Sequence, residues 1–241
     1  MSVSTEIYQI SNYRDAKLNL NLSGQNLNAE DIRQIVMALN NNANIKEIEI
    51  DVSSNDLLPI GAKEFLACKC LTVLNITANN IANEGFSALL SHPFLKKLIA
   101  GSNNITKVEN KAVSTIVDLD LNFNQFSNHL QTLATCCKQL IALNLTGNML
   151  QSKDFNILSN AHNFPLLQCL DISNNPLLDE NTLLAFSTRS SLTTLTTDGI
   201  KISQKMKSSL NSKKSFQFFN DDHNQEERYI AQPTGKRPSF D

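Results

Sequence analysis

Carboxylates two residues apart are the residues of this chain whose type and spacing could most readily do chemistry. Glu47, Glu49 and Asp51 alternate with Ile48 and Ile50, Asp118 and Asp120 bracket Leu119, and Asp171 and Asp198 follow further on. Such acids could act as general acid and base, or hold a divalent metal beside histidine or cysteine. No such company is legible. His92, His129, His162 and His223 fall in other segments, where they read as surface or partly satisfied residues. Cys68, Cys70, Cys136, Cys137 and Cys169 form no C-x-x-C pair and no zinc-type spacing with His, so they read as reduced thiols, mostly small and buried. No phosphate-cradling glycine loop, H-E-x-x-H or G-x-S-x-G occurs. The chain reads as a non-enzyme with no cofactor and no metal, and its acids as a charged surface suited to a basic protein partner.

The elements that position these acids are repeats. Alternation such as Asp118-Leu119-Asp120 sends apolar side chains to one face of a strand and acids to the other. Five consecutive segments carry the pattern L-x-x-L-x-L-x-x-N-x-L. They run Leu71-Leu74-Ile76-Asn79-Ile81, Leu95-Leu98-Ala100-Asn103-Ile105, Ile116-Leu119-Leu121-Asn124-Phe126, Leu140-Leu143-Leu145-Asn148-Leu150 and Leu167-Leu170-Ile172-Asn175-Leu177. Weaker copies flank them. Leu20, Leu22, Gln25 and Leu27 come first, then Ile45, Ile48 and Ile50 with a two-residue insertion before Asn55 and Leu57. Leu192, Leu195, Thr197 and Ile202 close the series, with Ile200 in the Asn position. With the second strand leucine as marker, units start at Leu20, Ile48, Leu74, Leu98, Leu119, Leu143, Leu170 and Leu195. Asn79, Asn103, Asn124, Asn148 and Asn175 lie where the chain leaves each strand. There a side-chain amide can both donate to and accept from backbone groups that the turn leaves unpaired.

This pattern resembles the leucine-rich-repeat family of ribonuclease-inhibitor-like type. The resemblance implies an α/β horseshoe solenoid of about eight repeats, with a parallel sheet on the concave side and mostly helical returns on the convex side. In this register the outward residues fall in three columns. The first holds Glu47, Lys97, Asp118 and Ala142; the middle holds Glu49, Asp120 and Asp171; the third holds Asp51, Gly101, Ser173 and Asp198. The face is polar and mildly acidic, with Lys97 beside Asp118 as a cross-strand pair. Phe123, at its edge, is an aromatic that the repeat does not call for; it reads either as a binding anchor or as packing on a neighbouring turn.

Helical periodicity between strands predicts helical returns, with caps at Asn28, at Ser127 or Asn128, at Ser152 and at Asp179. The 21-residue unit between Leu98 and Leu119 leaves only 107–115 for its return, too short for a full helix, so a 3₁₀ or extended return is expected. A closing helix over Ser203–Asn211 and a capping segment Ser215–Phe219 follow. The expected domains are a cap at 1–15, a repeat domain at 16–219 and a polar, flexible tail at 220–241.

Composition bounds the partner. A net charge of -2 argues against general binding to nucleic acid or anionic membranes, which needs surplus Lys and Arg. No basic-then-apolar leader and no span of ~18 apolar residues is present. The expectation is a soluble monomer, cytoplasmic or delivered without a cleaved signal into a host cytoplasm. Asparagine numbers 31 of 241 residues, and the tail carries Glu226-Glu227. These features resemble the type IV translocation signals and Asn bias of Legionella leucine-rich-repeat effectors. Similar solenoids in Ran GTPase activators imply GTPase regulation as an alternative, and a self-associating scaffold is a third.

Overall fold

The structure is a computed structural model that describes residues 3–109, 113–175, 180–212 and 217–220. Strict alternation in Lys-Leu-Asn-Leu-Asn and Glu-Ile-Glu-Ile-Asp produces two five-residue strands, β1 (Lys17–Asn21) and β2 (Glu47–Asp51). Each turns its aliphatic side chains to the core, Leu20 only partly buried, and presents Lys, Asn or acid on the other face. β3 (Leu71–Asn75) is followed by shorter strands: β4 (Lys97–Ile99), β5 (Asp118–Asp120), β6 (Ala142–Asn144), β7 (Cys169–Asp171), β8 (Thr194–Thr196) and β9 (Gln217–Phe219). All pair in parallel in chain order, forming one nine-stranded sheet that does not close. The architecture is α/β and consistent with a leucine-rich-repeat-like solenoid.

Helices return the chain from one strand to the next. They are α1 (Val3–Asn12), α2 (Ala29–Asn41), α3 (Leu58–Glu64), α4 (Ala82–Leu90), α5 (Leu130–Cys136), α6 (Ser152–Ser159), α7 (Leu183–Phe186) and α8 (Gln204–Asn211). α2 shows why they form. Asn28 accepts from the Glu30 and Asp31 amides while Asp31 accepts from the Asn28 amide, a closed capping box that satisfies the first orphan donors. Ile32, Ile35, Val36 and Leu39 then fall on one buried face. Burial of each is worth about 1.5–3 kcal/mol. Two expected caps are corrected. α5 follows His129 with no side-chain cap, and α6 starts after Gln151, whose amide donates to the Asp154 carboxylate (2.9 Å), leaving Ser152 inside the helix. Asp179 lies outside the described residues. The described part of the short return, 107–109 and 113–115, forms no helix. Phe126 and Phe86, from the units flanking it, meet edge to face with ring centroids 6.1 Å apart.

The register corrects one unit. Ile50, not Ile48, pairs with both Leu20 and Leu74. Ile48 pairs with Leu71, and Thr72 bulges out of β3 between the paired positions. Asn55 then lies five residues beyond its marker, as Asn79 does beyond Leu74, and no insertion is needed. The outward columns shift accordingly: Glu47 sits opposite Lys17, Glu49 between Asn19 and Val73, and Asp51 between Asn21 and Asn75.

Candidate protein-binding face

The turn that ends each strand decides which side chains remain available to a partner. Its first device is the asparagine column. Asn103 is fully buried; its Oδ1 accepts from the amides of Asn79 (3.0 Å) and Ile81 (3.2 Å), and its Nδ2 donates to the carbonyls of Ile76 and Gly101 (2.9 Å each). Asn124 repeats this with the Asn103 and Ile105 amides and the Ala100 and Leu121 carbonyls. Asn79, Asn148 and Asn175 do the same in their turns. Asn55 joins them in the corrected register, accepting from Leu27 (2.9 Å) and donating to Val52 (2.7 Å). At the far end Ile200 cannot serve. Asn220, which the sequence assigned to the tail, donates instead to the carbonyls of Thr197 (2.7 Å) and Ile200 (3.0 Å).

A second polar device was not legible in the sequence. The residue ending most strands is Asp or Asn, and its Oδ1 accepts from the amide two residues on. Asp51 takes Ser53 (2.8 Å), Asp120 takes Asn122 (2.8 Å) and Asp171 takes Ser173 (2.9 Å). Asn21, Asn75 and Asn144 hold the same bond. Asp51 and Asp120 also accept from Asn75 and Asn144 on the next strand, 3.0 Å each. These acids are turn formers as well as charges. Burial raises the pKa of Asp120 and of Asp171, and Asp171 also feels Asp198.

The other acids are placed differently. Glu47 and Glu49 make no turn. Both pair with Lys17, at 3.4 Å for Glu47, and the hydrogen bond to Glu49 is the main cause of the raised Lys17 pKa. Asp118 meets Lys97 at 3.2 Å. Asp198 is buried rather than displayed, as are Ala142, Gly101 and Ser173. The outer face is therefore narrower than its columns suggested. It runs through Glu47, Glu49, Val73, Lys97, Ile99, Asp118 and the half-covered Asp120 and Asp171.

The third device is conformational. The residue four beyond each marker has positive φ: Gly24, Ser54, Ala78, Ser102, Phe123, Gly147, Asn174 and Gly199. Most of their amides donate to a carbonyl of the next turn; Phe123 gives its own to Thr146 at 2.8 Å. Left-handed backbone costs a non-glycine residue about 1 kcal/mol, and more for a bulky one. Phe123 bears it at φ 50° while 46% exposed. That ring lies on Gly147, where an added Cβ would come within 2.8 Å of Phe123 Cδ1.

Two buried basic side chains staple the outer loops. His92, read as a surface or partly satisfied residue, is buried and hydrogen-bonded: Nε2 meets the Cys68 carbonyl at 3.1 Å and Nδ1 accepts from Leu95 (3.0 Å) and Phe94 (3.2 Å). Burial lowers its pKa, so the ring is neutral. Arg189 donates to the carbonyls of Leu158, Asn160 and Phe164, the first two at the C-terminal end of α6, where a cation also meets the helix dipole. All five cysteines are free, with Cys68, Cys136 and Cys137 buried. Among the described residues no group of three His, Cys, Asp or Glu could hold a metal ion, and no helix is long and apolar enough to cross a membrane. Leu177, Ser215, Phe216, His223 and the Glu226-Glu227 pair lie outside the described residues.

No family model matches the chain. Over 113 residues it is 27% identical to Protein CARMIL of Dictyostelium discoideum, a match covering 42% of this chain and 11% of that protein. The chain thus spans a small fraction of that relative. Among solved structures it is similar to the tropomodulin C-terminal domain of Caenorhabditis elegans, with 16% identity and a TM-score of 0.37, covering 61% of this chain and 83% of that one. Neither is a Legionella protein.

Proposed function

We propose that this chain is a non-enzymatic protein-binding module: a monomeric horseshoe of about eight repeats that takes a basic protein surface against the concave, outer face of its sheet. In this reading 1–15 caps the repeat domain, which runs through 219 and gains Asn220 as its closing residue. The observation that carries the proposal is the outer face itself. Its acids outnumber Lys17 and Lys97, and Glu47, Glu49 and Asp118 are not consumed by the turns. An electronegative strip on a rigid sheet favours a positive partner in encounter rate and register. The translocated-effector and GTPase-regulator readings have no observation of this structure in their favour, and the proposal stops at the binding module.

The test is quantitative affinity capture with wild type and an E47Q/E49Q variant, which removes charge without touching a turn. A charge-removing change on the helical side, Lys63→Gln, serves as control. Proteins with basic surfaces should be retained by wild type and by the control, and lost from E47Q/E49Q. An unchanged captured set would refute the outer-face reading.

A further inference from the structure

The turn after each strand needs left-handed backbone four residues beyond the marker, and nearly every unit meets that need with a small or polar residue: Gly24, Ser54, Ala78, Ser102, Gly147, Asn174 and Gly199. Phe123 breaks the series. Two residues beyond Gly147, Met149 is also left-handed, at φ 57°, and 61% exposed. The equivalent left-handed positions in other units hold Asn26, Asn80 and Asn104. Folding gives no reason for either choice, since glycine or asparagine fits this backbone better. Strain kept where a large apolar side chain is thereby displayed is the mark of a binding device.

The geometry is also that of a prepared platform. Gly147 has no side chain, so the Phe123 ring lies close against that position, with Cδ1 and Cε1 nearest, while the residue stays 46% exposed. A ring held in advance loses little conformational freedom when covered. On the sheet side the platform borders the strand bearing Asp118 and Asp120, with Asp171 two strands further on. The electronegative strip therefore ends at an exposed aromatic residue, an arrangement that suits a cation stacked over the ring with an aliphatic neighbour beside it.

We propose that Phe123 and Met149 form the anchor of the binding face and that its occupant is an extended peptide segment of a partner protein carrying Arg or Lys next to an aliphatic residue. The inference rests on the outer-face reading and names the chemistry that reading leaves open. The cation sits over Phe123 toward the Asp120 strand, and the aliphatic side chain covers Met149. Phe123 is a binding anchor, and Gly147 is its positioning residue.

The test is selection of a phage-displayed random peptide library on the full chain, followed by fluorescence anisotropy of the enriched peptide against wild type, F123N and E47Q/E49Q. Asparagine suits the left-handed site, as at Asn174, so F123N should keep or raise the melting temperature. The expected result is a consensus of Arg or Lys beside an aliphatic residue, with affinity weakened about tenfold or more by F123N. Affinity within about twofold of wild type in F123N would overturn the proposal. If E47Q/E49Q alone loses the peptide, the outer-face reading stands and the anchor fails; if neither variant weakens it, both fail. A dimer of the free chain dispersed by F123N would give the platform to a second copy and also overturn the proposal.

Discussion

Replacement of Asn103 by alanine isolates the device on which the sheet depends. The change removes two acceptor and two donor contacts and leaves the amides of Asn79 and Ile81 and the carbonyls of Ile76 and Gly101 without this partner, all in a region closed to water. A buried backbone group left unsatisfied costs about 1–3 kcal/mol. Relaxation and the second lone pair of each carbonyl reduce the sum, so the expected loss is about 3–5 kcal/mol, a large share of the ~5–15 kcal/mol that holds a typical domain. Asn156, exposed on α6, provides the control; Asn156→Ala should change stability by less than about 0.5 kcal/mol. The half-buried Asn55, near the open end of the sheet, should fall between them at about 1–2 kcal/mol. Urea unfolding followed by circular dichroism reads these differences as shifts of the midpoint at constant slope. An Asn103→Ala loss below about 1 kcal/mol, or one equal to that of Asn156→Ala, would refute the ladder as the source of inter-repeat stability.

Other sites give independent outcomes. Gly147→Ala combines a left-handed φ of 64° with a clash on Phe123 and should cost about 1–3 kcal/mol; adding F123N should recover the clash and leave the backbone cost, a double-mutant cycle measurable by thermal melting. Arg189→Met strands three carbonyls and should lower stability by about 2–4 kcal/mol, and Arg189→Lys should not restore it, because a single ammonium cannot span the Leu158 and Phe164 carbonyls with the guanidinium's geometry. His92 has its pKa lowered by burial, so the unfolded chain binds the proton first; stability should decline as pH falls from about 6.5 through the folded value, and His92→Gln should flatten that slope in pH-dependent melts. Asp171 runs the other way. Its raised pKa means that stability is lost as pH rises from 3.8 through the folded value, so Asp171→Asn, which keeps the Ser173 bond, should raise the melting temperature at neutral pH and change little at pH 3.

The repeat was legible because two physical signals coincide in each unit: aliphatic residues two apart, which can bury only one face, and an amide placed where backbone groups need partners. Where the signals were ambiguous the reading slipped. Ile45, Ile48 and Ile50 fit the motif with either of the last two as marker, and only pairing with Leu20 and Leu74 chooses Ile50. The double role of Asp51, Asp120 and Asp171 could not be read, since an acid ending a strand looks the same in sequence whether it faces solvent or accepts the next amide but one. Asn in the same column, at Asn21, Asn75 and Asn144, was the available clue. Their turn bonds make lysine a poor replacement there, and neutralisation at Glu47 and Glu49 separates binding from folding more cleanly. His92 and Arg189 escaped because the Cys68 carbonyl that meets His92 and the carbonyls that meet Arg189 lie more than twenty residues away in other loops, where local spacing carries no information. Phe123 stood out as unexplained, but its left-handed backbone and its seat on Gly147 belong to tertiary packing alone.

The central claim, that partners dock on the outer face of the sheet, is tested most directly by photo-crosslinking. A benzophenone side chain replaces Ile99, on β4 near the middle of that face, or Met37, exposed on α2 among the helices. Partner adducts should form from position 99 and be suppressed by E47Q/E49Q, with none from position 37. Adducts from position 37 and none from position 99 would contradict the account.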